Sequence, residues 1–148
     1  MKTKYSLLTT LILWAFACNV SGQDTTSLLK KEKFNIDKTG EDKIGYAQAV
    51  KTGNTIYVSG STGYGDMKDA LKMAYDDIAK TLKSYNASFQ NVVKENLYTT
   101  MLDSVIKYKD VRLAYYGNDY PAATWVEVKR LYSTKEIVEI EVIAVLTE

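Results

Sequence analysis

No histidine occurs in these 148 residues, and the only cysteine is Cys18. The commonest neutral-pH base, the Ser-His and Cys-His nucleophile pairs, imidazole or thiolate metal sites and disulfides within the chain are thereby excluded. Chemistry is left to carboxylates, 12 tyrosines, hydroxyls and backbone. Two stretches concentrate such groups. Ser59-Gly60-Ser61 offers a glycine at which backbone could approach a ligand, unless it is simply a tight turn. Further on, Trp125 and Glu127, and then Glu139 and Glu141, alternate with Val126, Val128, Ile140, Val142 and Ala144. The apolar row is expected to lie under helices, leaving a carboxylate-rich face that also carries Trp125, Ile143 and Val145. That face is too apolar for open water and points to a covering second subunit. A solvated face with incidental apolar residues is the alternative.

Several elements must position these residues. Ala47–Lys51 and Thr55–Ser59 read as strands of a hairpin around Thr52-Gly53-Asn54, with an earlier strand near Lys33–Asp37. Gly60–Gly65 reads as a glycine-rich turn leading to Asp66, an N-cap. Met67, Leu71, Ala74, Ile78, Leu82 and Tyr85 then recur at helical spacing, with Asn86 as the stop. Val92–Met101 is a strand. A second helix capped by Asp103 or Ser104 runs to Tyr116 and is closed by Gly117. Thr124–Leu131 and Ile137–Leu146 complete six strands and two helices, an α+β domain with both helices on one sheet face.

The chain carries 19 Lys and Arg against 18 Asp and Glu. That balance argues against nucleic acid as a partner. Its length suits one ordinary domain. Lys2 and Lys4 precede an uncharged run from Leu7 to Ala17, the pattern of an export signal over residues 1–22. Val20-Ser21-Gly22 would place cleavage before Gln23. Ala15-Phe16-Ala17-Cys18 is an imperfect lipobox that would put lipid, and a membrane anchor, on Cys18. An uncleaved anchor is the third possibility. The expected location is periplasmic or secreted, or lipoprotein-anchored, with residues 23–33 as a polar tether and 34–148 as the domain.

The order of short motifs carries a resemblance. Tyr46-Ala47-Gln48-Ala49-Val50, Gly53-Asn54 and Val58-Ser59-Gly60 open it; Pro121-Ala122, Val126-Glu127-Val128, Arg130-Leu131, Glu139-Ile140-Glu141 and Ile143-Ala144-Val145 close it. From Ile44 to Leu146 the chain resembles the Rid (YjgF-like) family of reactive-intermediate deaminases. The resemblance implies a chorismate-mutase-like fold with a six-stranded mixed sheet. It also implies a homotrimer whose sheets form a barrel, and ligand clefts between subunits. Members hydrolyse enamines and imines without a cofactor. Glu139 matches the residue that positions or activates water, Tyr46 a pocket tyrosine, and Lys109 the position of an asparagine on the second helix. The arginine that holds the substrate carboxylate is matched by Ala123, and Trp125 stands where a small residue is usual. Small anionic imines are therefore expected to react poorly here.

Other roles stay open: Glu139 as a bonded barrel-lining carboxylate, Tyr46 as ordinary packing, Trp125 as pocket wall or interface core, and Gly60 as substrate-approach glycine or turn. Glu127 and Glu141 read as structural. The expected function is an exported imine or enamine deaminase-like hydrolase. A non-catalytic small-molecule binder on the same scaffold is the alternative, and endoribonuclease activity has little in the sequence to support it.

Overall fold

A computed structural model describes residues 29–147. The export segment with Cys18, and residues 23–28 of the tether, lie outside them. Six strands form one sheet in the order β1-β2-β3-β6-β4-β5. They are β1 (Glu32–Phe34), β2 (Ala49–Thr52), β3 (Thr55–Tyr64), β4 (Val92–Thr99), β5 (Ala122–Glu127) and β6 (Glu136–Val145). All neighbours are antiparallel except β4 and β5, which run parallel. The architecture is the expected mixed-sheet α+β domain. β1 begins inside the stretch read as tether.

The hairpin forms as expected, with Thr52 opposite Thr55 across Gly53-Asn54. Helix α2 (Met67–Ser84) buries Met67, Leu71, Ala74, Ile78 and Leu82 against the sheet, joined by Ala70 and Tyr75. Facing them are Ile56 and Val58 of β3, Leu97 of β4 and Val138, Ile140, Val142 and Ala144 of β6. Burying each large aliphatic side chain contributes about 1.5–3 kcal/mol, which makes this two-layer core the main source of stability. Asn86 ends α2 with a positive φ of 56°.

Four local expectations are corrected. Gly60–Gly65 is not a turn: β3 stays extended to Tyr64, and the chain reverses only at Gly65, where φ is +85°. Asp66 does occupy the N-cap of α2, but its side chain makes no capping bond. A helix absent from the sequence reading, α1 (Lys38–Ile44), stands between β1 and β2. The second expected helix is two, α3 (Leu102–Lys107) and α4 (Lys109–Tyr116), broken at Tyr108. Its cap is Met101, not Asp103 or Ser104, and the Leu102 N–H donates to Glu127 at 2.8 Å.

The fifth correction concerns the faces of β5. Leu97 pairs with both Ile140 and Trp125, so Trp125 lies in the helix-side row with Glu95 and Ala123 as row neighbours. Val126 pairs with Tyr98, which pairs with Glu139, and so lies on the opposite face and is exposed. The expected orientation holds for β6 and is inverted for β5. The physical reason is the indole N–H, which finds a carboxylate under the helices that valine could not use.

Candidate active site

Three elements converge on Glu139. In β3 the register slips between Val58, opposite Val142, and Ser61, opposite Ile140, so Ser59 and Gly60 together face Glu141. This bulge swings Gly60 under the neighbouring Glu139 side chain. A Cβ on Gly60 would stand 2.7 Å from both Cγ and Cδ of Glu139 and nearer still to Oε1. Gly60 is thus required by close approach, with no unusual φ. The turn reading is replaced by one in which the glycine makes room for a carboxylate.

The segment carrying Tyr46 is fixed by a buried acid, Glu41 of α1. Its carboxylate accepts from the backbone N–H groups of Ile36, Asp37 and Gln48 and from the Asn35 side chain. Burial disfavours its charge, but these bonds outweigh that and hold its pKa below the usual glutamate value. The Glu41 carbonyl accepts from the Gly45 and Tyr46 N–H groups. Gln48 then reaches across to Ser59 O and Ser61 Oγ, while Ser59 Oγ donates to Ala47 O at 2.8 Å. Tyr46 and the Gly60 bulge are in this way tied into one rigid wall.

The resulting cleft, about 520 Å³, is lined by Ile44, Tyr46, Gly60, Tyr132, Glu136 and Glu139, among others. Glu139 is half-buried and makes no side-chain hydrogen bond among the described residues. Its pKa is raised above the ordinary glutamate value by burial first, then by the charges of Glu136 and Glu141. Burial and the nearby acids Glu41, Asp37, Glu136 and Glu139 also push the Tyr46 phenol up, keeping it a proton donor. Glu141 is occupied by Asn96 Nδ2 and Tyr98 Oη at 2.8 and 3.1 Å, and Glu127 by α3. The structural reading of both holds. Among the described residues no group of acids or cysteines converges as metal ligands do. What the arrangement offers is a proton acceptor of raised pKa beside a phenol donor, in a partly dry cleft.

Tyr46, Gly60 and Glu139 are therefore brought together, whereas Lys109, Ala123 and Trp125 are not brought to them. Lys109 opens α4 and is exposed, Ala123 lies exposed on the edge strand β5, and Trp125 is half-buried beneath the sheet. Around Trp125 the structure holds a network that the sequence reading did not contain. The fully buried Glu95 accepts from Trp125 Nε1 (3.1 Å) and Arg112 Nε (2.8 Å) on one oxygen, and from Tyr75 Oη (3.1 Å) and Tyr116 Oη (2.8 Å) on the other. Glu95 shares the helix-side phase of Leu97 and Thr99, and Arg112 lies on the inner side of an amphipathic helix. That coincidence was the available signal.

Residues 41–146 match the family model described as Endoribonuclease L-PSP. A RutC family protein of Pyrococcus abyssi is 34% identical over 125 residues, covering 78% of this chain and 98% of its own. A 2-iminobutanoate/2-iminopropanoate deaminase of Bos taurus is 32% identical over 109 residues, covering 68% of this chain and 79% of its own. Among solved structures, a YjgF/YER057c/UK114 family member from Mycobacterium tuberculosis superposes with TM-score 0.74 at 27% identity, over 79% of this chain and all of that one.

Proposed function

We propose, on the premise that the chain belongs to the YjgF/RidA family, that it hydrolyses small imines or enamines in the cleft beside Glu139. The observation that carries this reading is Glu139 itself: half-buried, unbonded among the described residues, raised in pKa, and facing Tyr46 across a glycine that leaves it room. A carboxylate so placed can take a proton from water as the water oxygen bonds to the imine carbon, while Tyr46 gives its phenol proton to the imine nitrogen. Glu139 can then pass its proton to that nitrogen as the C–N bond breaks, and the hydroxyl of the intermediate returns a proton to the Tyr46 phenolate, giving a carbonyl compound and ammonia. The reaction needs no cofactor.

The 2-iminobutanoate/2-iminopropanoate deaminases among the relatives support this chemistry over endoribonuclease activity, as do the absence of histidine and the balanced charge. Assembly as a homotrimer and export belong to the same proposal. The exposed edge strand β5 and the outward Tyr57 and Val126 suit a covering copy, which would bring the Ala123–Trp125 side of one subunit to the Glu139 cleft of the next. Ammonia release from freshly generated 2-iminobutanoate, measured beside Glu139→Gln, tests the chemistry. Turnover that survives the substitution defeats it, and no turnover with any imine leaves a binding protein on the same scaffold.

A further inference from the structure

The walls of the cleft beside Glu139 are apolar and aromatic, and its charges are of one sign. Tyr132 is 76% exposed, Ile44 58% and Tyr46 41%, so two rings and an aliphatic side chain stand open at the same cavity. The cleft is also lined by Glu136, Glu139 and Glu141, and by neither lysine nor arginine. A second recess, of about 250 Å³, shares Tyr46 and Gly60 with it and adds Asp37, Glu41 and Asp77, again with no basic residue. A third, of about 490 Å³, shares Tyr132, Glu139 and Glu141. It brings the one cation of the three linings, Arg130, which forms no ion pair among the described residues. Every charge that shifts the two reacting groups is negative: Glu136 and Glu141 act on Glu139, and Glu41, Asp37, Glu136 and Glu139 act on Tyr46.

We propose that this cleft selects cationic imines that carry no carboxylate, with a flat or apolar substituent against Tyr46, Tyr132 and Ile44. That is the class formed when a primary amine, rather than an amino acid, is oxidised. The inference rests on the hydrolase reading of the cleft and names its substrate class. A protonated imine nitrogen meets complementary charge there, whereas an amino-acid imine adds a further anion to a negative cavity. Aromatic faces beside the carboxylates favour the cation again. This is a reason independent of Ala123 for small anionic imines to react poorly. The proton that Tyr46 gives a neutral imine is already in place on a cationic one. Water then adds to carbon as Glu139 takes its proton, and Glu139 returns that proton to nitrogen as the C–N bond breaks. The hydroxyl proton leaves with ammonia as ammonium, and an aldehyde remains.

Benzamidine is the probe, because its amidinium is a stable protonated C=N group; benzamide is its uncharged counterpart and benzoate its anionic one. Calorimetric titration of the full folded protein should rank them in that order, with at least about tenfold between benzamidine and benzamide. Glu136→Gln keeps an acceptor for the Ser133 N–H, and should weaken benzamidine at least about threefold while leaving benzamide unchanged. Tyr132→Ala should weaken both, and Tyr132→Phe neither. Benzamide or benzoate bound as tightly as benzamidine, or benzamidine affinity unmoved in either Glu136→Gln or Tyr132→Ala, overturns the inference. Turnover is compared on imines freshly released by oxidases from benzylamine and from phenylglycine, which differ by the carboxylate. Acceleration of ammonia release should be at least about tenfold greater with benzylamine. Equal or greater acceleration with phenylglycine overturns the substrate class and leaves hydrolysis standing. Benzamidine bound with the expected selectivity in a protein that accelerates neither reaction upholds the ligand class and defeats the hydrolase reading alone.

Discussion

Replacing Gly60 with alanine should separate activity from stability. The new Cβ would meet Cγ and Cδ of Glu139 at 2.7 Å, and ordinary contact begins near 3.4 Å. Those atoms must retreat by about 0.7 Å, and the carboxylate beyond them swings by about 1 Å or more. Only a side chain has to yield, and the Gly60 φ is one alanine accepts, so stability should change by less than about 1 kcal/mol, or a few degrees in Tm. A catalytic base displaced by about 1 Å costs on the order of 100-fold in rate. Calorimetry together with ammonia release from 2-iminobutanoate reads both quantities on the same preparation. Rates within threefold of the unmodified protein would refute the placement of Glu139 as the base. A Tm loss above about 10 °C would show that the bulge, not the side chain, had yielded.

Gly63→Ala should behave in the opposite way. Its Cβ would strike the Ala70 backbone of α2, 2.7 Å from Cα and closer to the carbonyl, so denaturant titration should show a loss of at least about 2 kcal/mol. Glu95→Ala strands the buried Arg112 and three further donors, and the same titration should lose about 3–5 kcal/mol. The acid limb of turnover should have its midpoint above the ordinary glutamate value, and Glu136→Gln should move it down by removing one of the charges that hold Glu139 up. The linked stability effects have opposite signs. Glu139, raised in the fold, costs stability as pH climbs through its titration, so Glu139→Gln should stabilise the protein at neutral pH. Glu41, lowered in the fold, contributes stability that is lost as pH falls from its unfolded toward its folded value, and Glu41→Gln should flatten that acid-side loss.

What could be read from sequence followed from periodicity. The α2 stripe and the β6 alternation each have one apolar phase, and both were legible. Helix α1 has no such phase: Lys38–Ile44 is polar, contains Gly40, and is held by Glu41 accepting bonds from residues on either side, which no spacing rule displays. On β5 both phases are partly apolar, Trp125 in one and Val126 in the other, so alternation could not choose, and a single hydrogen bond to Glu95 decided. The break at Tyr108 has no glycine or proline to announce it. Of the three candidates that line the cleft, Glu139 and Tyr46 were singled out by resemblance and Gly60 by its residue type. The reason Gly60 must be glycine was not legible, because it lies in a bulge set by β3–β6 register.

The place of β6 in the sheet bears on how the chain is made. The strand latest in chain order sits between β3 and β4 and joins the two halves of the sheet. Until residues 136–145 have been synthesised, β3 and β4 each present a bare row of backbone donors and acceptors. The β1–β2–β3 half then has no connection to the β4–β5 half. Until β6 emerges, nascent chains therefore lack a closable sheet and are exposed to self-association and to chaperones. For a chain proposed to leave the cytoplasm through a narrow translocon, that delay is an asset, since a polypeptide that cannot finish folding early stays threadable.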